Sequence, residues 1–299
     1  MNLIQQFIGF ILLALSMTVP AQGLSLNICA GANADSVYTK MISDVVNQCS
    51  SGETKLVLKH SEGSVASVSE LEAKRCDAGM IQGDIYSAYA KFDPNSIKGQ
   101  VTIAGMHTEA YHFVSAPNLK TGMFSSRDIK STDSLVGMKI GVTQSGSVSM
   151  RMFNNLIGGE GITPEVYASS GELVKALSEG KIASALFVTG VGSDTINNLP
   201  KALMLVPVSD AHRTALVKGG YVEEQVSYQG RTTGPMKTVS ARAFLIGRSV
   251  GAGKYRAAMV ALSACIKASV SDLQDSPTSN RAWKSVYTGS VANGTVAVK

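Results

Sequence analysis

One pattern constrains this chain more than any other: a short apolar run, a turn of small residues and an amphipathic run, repeated in that order. Residues 24–30 (LSLNICA) lead through GANADS into residues 37–49, where Val37, Met41, Val45 and Val46 recur at helical spacing and Asp35 or Ser36 stands at the cap. Residues 54–60 alternate as a strand, 61–64 form a turn and 65–74 are helix-like. Residues 77–82 give a third short strand, Gly83-Asp84 its turn and 85–91 another helix opening. Parallel strands need a crossover connection and cannot be joined by a tight turn, so strands alternating with helices predict βαβ units and a parallel sheet.

From residue 101 the pattern changes to two β-rich runs, VTIAGM and AYHFVSA, ended by Pro117. Residues 118–130 read as a loop and 131–136 as a short helix. The unit then returns: KIGV at 139–142, the turn TQSGS, and an amphipathic helix around 150–156. Further strands are expected at 166–168, 183–189, 204–207 and 238–246, and helices at 171–178, 254–270 and 280–287, with 208–237 mixing helix and an extended Gly-rich loop. The β-rich crossings near 108–116 and 238–246 suggest a chain that leaves one lobe, builds a second and returns. The expectation is an α/β, two-lobed periplasmic-binding-protein-like fold, each lobe a mainly parallel sheet flanked by helices, joined by two crossing strands. Lobe 1 would comprise residues 24–113 plus 238–299, and lobe 2 residues 114–237.

Residues 1–23 have an apolar stretch at 7–19, then Pro20 and the small-x-small ending Ala21-Gln22-Gly23, which reads as a secretory signal peptide although the n-region carries no Lys or Arg. The stretch is shorter than the roughly 20 residues that span a bilayer. An exported, periplasmic protein follows. Export makes Cys29, Cys49, Cys76 and Cys265 candidates for disulfides. Cys49 and Cys76 each close a helical segment, and Cys49 with Cys76 is the preferred pairing; the other pairings and four buried thiols stay open.

The 27 basic and 22 acidic residues are scattered without a Lys/Arg run, which argues against nucleic acid as a partner. His60, His107, His112 and His212 are dispersed, with no metal-ligand spacing, and His112 reads as a strand histidine inside AYHFV. No nucleophile elbow or Walker lysine loop occurs, and Gly190-Val191-Gly192 is no dinucleotide fingerprint. No catalytic group, cofactor or metal is expected. What recurs is a small-residue loop at the C-terminal end of each candidate strand, where open α/β sheets bind ligands. Backbone N–H groups at such strand-to-helix turns lack intrahelical partners and suit an anion. Ser36, Ser64, Ser145, Ser147 and Thr189 would supply hydroxyls, and Asn33 and Gln82 amides.

In their order and spacing these motifs resemble the TAXI family of solute receptors that serve TRAP transporters, over nearly the whole mature sequence. Residues 31–38 look like that family's Gly-rich first loop running into an aromatic residue, Tyr38. Gly63-Ser64-Val65 matches its Gly-Ser-Val helix start, Gln82-Gly83-Asp84 its Gln-x-Asp turn, and Ser145-Gly146-Ser147 stands where the family has Ser-Gly-Thr. Phe187-Val188-Thr189-Gly190-Val191 matches its Phe-Phe-x-x-Gly strand end, and residues 228–238 its stretch before the return crossing. The resemblance implies a ligand-binding set of Asn33, Ser36, Tyr38, Ser64, Val65, Gln82, Asp84, Ser145, Ser147, Thr189 and Gly190. It implies capture of a small organic anion, an amino acid or dicarboxylate, for membrane transporter subunits. The first loop departs from the family: its second and third glycines are missing, Tyr38 is not followed by Tyr-Pro, and Gly192 replaces a proline. Lost glycines narrow a pocket. These departures motivate the alternative of a ligand-free structural or interaction subunit of a cell-envelope assembly.

Overall fold

The computed structural model describes residues 23–116, 118–120, 126–159, 161–232, 234–249 and 253–286. The signal-peptide reading therefore falls almost wholly outside the described residues. Three units build the first half: β1 (Leu24–Cys29), α1 (Val37–Cys49), β2 (Thr54–Lys59), α2 (Gly63–Glu72), β3 (Ala78–Gln82) and α3 (Gly83–Phe92). Next comes β4 (Gln100–Ser115), a small pair β5 (Asn118–Lys120) and β6 (Ser126–Asp128), and a 3-10 turn at Thr132–Leu135. The second half adds β7 (Lys139–Thr143), α4 (Gln144–Leu156), β8 (Thr163–Tyr167), α5 (Ser170–Ser178), β9 (Ser184–Thr189), the four-residue α6 (Asp194–Asn197) and β10 (Met204–Val206). Then follow α7 (Asp210–Lys218), β11 (Val222–Val226), β12 (Met236–Arg248), α8 (Lys254–Asp275) and a 3-10 turn at Arg281–Ser285.

The strands form one sheet in the order β2-β1-β3-β12-β4-β9-β7-β8, with β10 on β4 and β11 on β12. Within each half the units pair in parallel, β2 and β3 flanking β1, and β8 and β9 flanking β7. The halves are joined by β4 and β12, which run antiparallel to each other. At about 3.4 Å per residue, the 16 residues of β4 are long enough to serve both lobes. Ala104 and Met106 pack in a core with α1 and α8, whereas Tyr111 and Phe113 pack in another with Phe153 of α4 and Leu216 of α7.

The β4–β12 ladder is not regular. Met106 and His107 together face Ala243, and Ile103 is one residue too many between Thr102 and Ala104. Such bulges bend and twist the strand and re-aim side chains. The first turns His107 toward Tyr38 of α1, ring to ring edge-on at 5.5 Å. Several sequence expectations are revised. The two β-rich runs are one strand, residues 118–130 contain a short strand pair, and the final helix is a 3-10 turn.

The favoured Cys49–Cys76 pairing is incorrect. The disulfides are Cys29–Cys76 and Cys49–Cys265, with Cα separations of 5.9 and 5.8 Å. The reason is the handedness of crossovers. The step from β1 out to β2 and the step back past β1 to β3 run in opposite directions, so right-handed connections put α1 and α2 on opposite faces. Cys49 at the end of α1 shares its face with α8, whereas Cys76 lies with Cys29, Val68 and Leu71 on the α2 face. Mapping of unreduced peptides should recover residues 29 with 76 and 49 with 265. Replacing Cys49 and Cys265 by serine should lower unfolding stability by about 2–4 kcal/mol, because that crosslink closes a long loop.

Candidate functional site

Where β3 runs directly into α3, the chain turns against β12. A Cβ on Gly83 would stand 2.6 Å from the Phe244 ring and 2.8 Å from the Arg242 carbonyl, so only glycine fits there. This close approach places Asp84, in the first turn of α3, at the boundary between the lobes with 6% of its surface exposed. Its carboxylate is surrounded by donors. The Ile85 N–H donates to Oδ1 at 2.8 Å and Gln82 Nε2 at 2.6 Å. Tyr111 of β4 and Tyr221, just before β11, donate hydroxyls to Oδ2, the latter at 3.3 Å. The Ser149 hydroxyl of α4 lies beside the carboxylate and accepts from Gln82 Nε2 at 3.0 Å. Two of the four donors, Tyr111 and Tyr221, pack in the core that holds Phe153 and Leu216, which is the second lobe's core although Tyr111 falls within the stretch 24–113 expected in lobe 1.

The network continues toward the bulge. The Gln82 N–H donates to Ser64 Oγ at 2.9 Å, Ser64 lies beside the Tyr38 hydroxyl, and that hydroxyl donates to Glu109 Oε2 at 2.6 Å. Beyond Glu109 lies His107, fully buried, its Nε2 3.6 Å from Glu109 Oε1 and neither ring nitrogen hydrogen-bonded. Burial raises the Asp84 carboxyl above its ordinary range, and Tyr111, Ser149, Gln82 and Ile85 around it pull partly back. Burial, then the neighbouring acid, holds the hydroxyls of Tyr38, Tyr111 and Tyr221 well above the usual phenol value. All three phenols are therefore neutral donors at pH 7.

Around this network the lobes touch. The Val65 N–H faces Ser145 Oγ at 3.5 Å, and α3 packs on α4. Lys91 Nζ bonds Asn155 Oδ1 at 3.1 Å, and the Arg151 guanidinium lies 3.9 Å from the Phe92 ring centre. On another flank Arg281 donates to the Gly192 carbonyl, while Trp283 Nε1 holds Asp44 of α1 at 2.8 Å. Two surface depressions lie away from this boundary, one beside Arg213, Glu223 and Lys237, the other beside Ser170, Val174 and Asn198.

Of the residues expected at a site, the structure bonds Ser64, Gln82 and Asp84 together with Tyr38 alongside, and sets Val65 against Ser145. The others do local work. Asn33 Oδ1 accepts from the N–H groups of Asp35 and Ser36, and Ser36 caps α1 through the Thr39 N–H. Ser147 donates to the Gln144 carbonyl, Thr189 sits in the β9–β4 ladder, and the Gly190 carbonyl accepts from Ser193. Sequence reasoning missed His107, Glu109, Tyr111, Ser149 and Tyr221. An acid inside the apolar run 101–115 was the available signal. Among the described residues, the one trio with metal-ligand spacing is Cys29, Glu70 and Cys76, and its two sulfurs are bonded to each other.

In sequence, residues 29–250 match the NMT1-like family. The chain belongs to the NMT1-like family. No curated protein matches it. This NMT1-like chain is similar in structure to the effector-binding domain of QuiR in complex with shikimate. The TM-score is 0.50 at 8% identity, covering 81% of this chain and 95% of that one. It is also similar to the ligand-binding component of an ABC-type import system from Staphylococcus aureus with zinc bound. That comparison gives a TM-score of 0.50 at 12% identity, covering 92% and 87%. The likeness is one of fold, that of the two-lobed binding proteins.

A pH signature follows from His112, fully buried in β4 with Nε2 2.9 Å from the Tyr228 hydroxyl. Burial lowers its pKa from 6.5 to about 4. A depressed folded value stabilises the fold above pH 6.5 and loses that contribution as pH falls through about 4. The loss amounts to about 3 kcal/mol. Asp84, raised, acts in the opposite sense: its contribution is present below the ordinary carboxylate pKa and fades as pH rises through the raised one. Comparing denaturant titrations of the wild-type NMT1-like protein and H112Q from pH 7 to 4 should show a smaller acid loss in the variant. Parallel profiles would contradict the assignment.

Proposed function

We propose that the protein is an exported solute receptor of the TAXI kind, whose two lobes close on a small organic anion and present it to the membrane subunits of a TRAP transporter. The observation that supports the ligand class is the second lobe's grip on a carboxylate. The Tyr111 and Tyr221 hydroxyls converge on one carboxylate oxygen of Asp84 at the lobe boundary. Neutral phenols in a dry site bind a carboxylate through charge-assisted hydrogen bonds, which are stronger than neutral ones. The β4–β12 crossing supplies a hinge, and closure would assemble half-sites from both lobes. The role is binding and presentation, without a chemical step.

Calorimetry and thermal shifts against a panel of amino acids and dicarboxylates test the reading. A cognate solute at 100 times Kd should add about 2.7 kcal/mol of stability. A panel without response, on protein stripped by unfolding and refolding and checked by mass spectrometry, would count against it.

One observation favours a second reading, a ligand-free interaction subunit of an envelope assembly. Polar groups at the boundary already partner one another, Tyr38 with Glu109, Gln82 with Ser64 and Asp84, and Asp84 with Tyr221. That reading expects envelope proteins to copurify and no solute to be carried.

A further inference from the structure

We propose that the Tyr111 and Tyr221 hydroxyls form a carboxylate receptor in lobe 2 which Asp84 of lobe 1 occupies as a tethered ligand, so that the chain's own side chain holds the lobes shut. The inference rests on the receptor reading only for what a solute would do: displace Asp84.

Asp84 stands in the first turn of α3, whose other polar tie at that end is Gln82. A carboxylate in that position ordinarily caps its own helix in water. Here Oδ1 bonds the Ile85 N–H, as a local cap would, but Oδ2 is given over to two hydroxyls of the other lobe. Those hydroxyls are fixed independently of Asp84. The Tyr111 ring stacks with Phe153 at 6.4 Å and meets the Tyr221 ring edge-on at 5.5 Å, both inside the second lobe's core. The two hydroxyls lie 3.1 Å apart. They form a rigid pair of donors on lobe 2, and an acid delivered by a helix of lobe 1 fills it. A free carboxylate has the same two oxygens and the same charge. Tethering gives Asp84 a high effective concentration at the pair, which a free solute has to exceed.

Removing the tethered acid should uncover the receptor. In D84G, thermal unfolding is followed against sodium acetate, with sodium chloride at equal ionic strength as control, and with wild type and D84N in parallel. Acetate at ten times its half-saturating concentration should raise the D84G midpoint by about 2–4 °C. Chloride and acetamide should not, and wild type and D84N should be insensitive. Equal acetate responses in all three proteins, or none in a folded D84G, would overturn the proposal. The double variant Y111F/Y221F, which keeps both rings, guards against a D84G that fails to fold. Small-angle scattering should give it a larger radius of gyration than wild type, and unchanged compactness would also overturn the proposal. These outcomes are separate from the solute panel. A silent panel with an acetate-responsive D84G removes the receptor role and leaves the tethered acid, and the converse removes the tethered acid alone.

Discussion

A carboxylate taken out of water costs several kcal/mol unless donors replace its hydration. Asp84 is such a group, and its replacement donors come from both lobes. The arrangement has a geometric consequence. Any motion that separates the lobes strips Oδ2 of its phenols, and any motion that joins them must bring donors and acceptor together without water between. The short strand-to-helix turn at Gly83 makes this possible, because only there does α3 begin close enough to β12 to point its first turn at the second lobe. Any separation of the lobes is thereby linked to the solvation of one buried carboxyl group.

The crossing strands are what any such motion would have to bend. β4 and β12 contribute side chains to both cores, so neither lobe is complete without them. Their irregularities fall at Ile103 and at Met106–His107, close to where the partners change from the first lobe to the second. A bulge interrupts the ladder and concentrates bending at few residues. His107, Glu109 and Tyr38 sit beside that bend, Tyr38 bonded to Glu109, with Ser64 next to Tyr38 and bonded to Gln82.

The fold was legible because its signals are local: strand period, helix period, caps and Gly-rich turns all fall within windows of a dozen residues. Tyr38, Ser64, Gln82 and Asp84 were legible for the same reason, each standing at a strand end or in the first turns of a helix. Tyr111 and Tyr221 were not. An aromatic residue in an apolar strand reads as core, and both rings are in the core; only the destination of their hydroxyls is special, and that depends on an acid 27 residues before Tyr111 and 137 before Tyr221. The disulfides failed for a topological reason. Cys49 and Cys76 occupy similar places in their units, but strand order puts the units' helices on opposite faces, and strand order leaves no local trace.

The central claim is that a side chain of this protein holds its lobes together. Spin labels at Lys55→Cys and Glu165→Cys, on exposed positions of β2 and β8, the two edges of the sheet, report the separation by pulsed dipolar spectroscopy. The account predicts one narrow distance distribution for otherwise wild-type, solute-free protein at neutral pH, and a longer or broader one when D84G is added. A broad distribution in both, or the same narrow one in both, would contradict it.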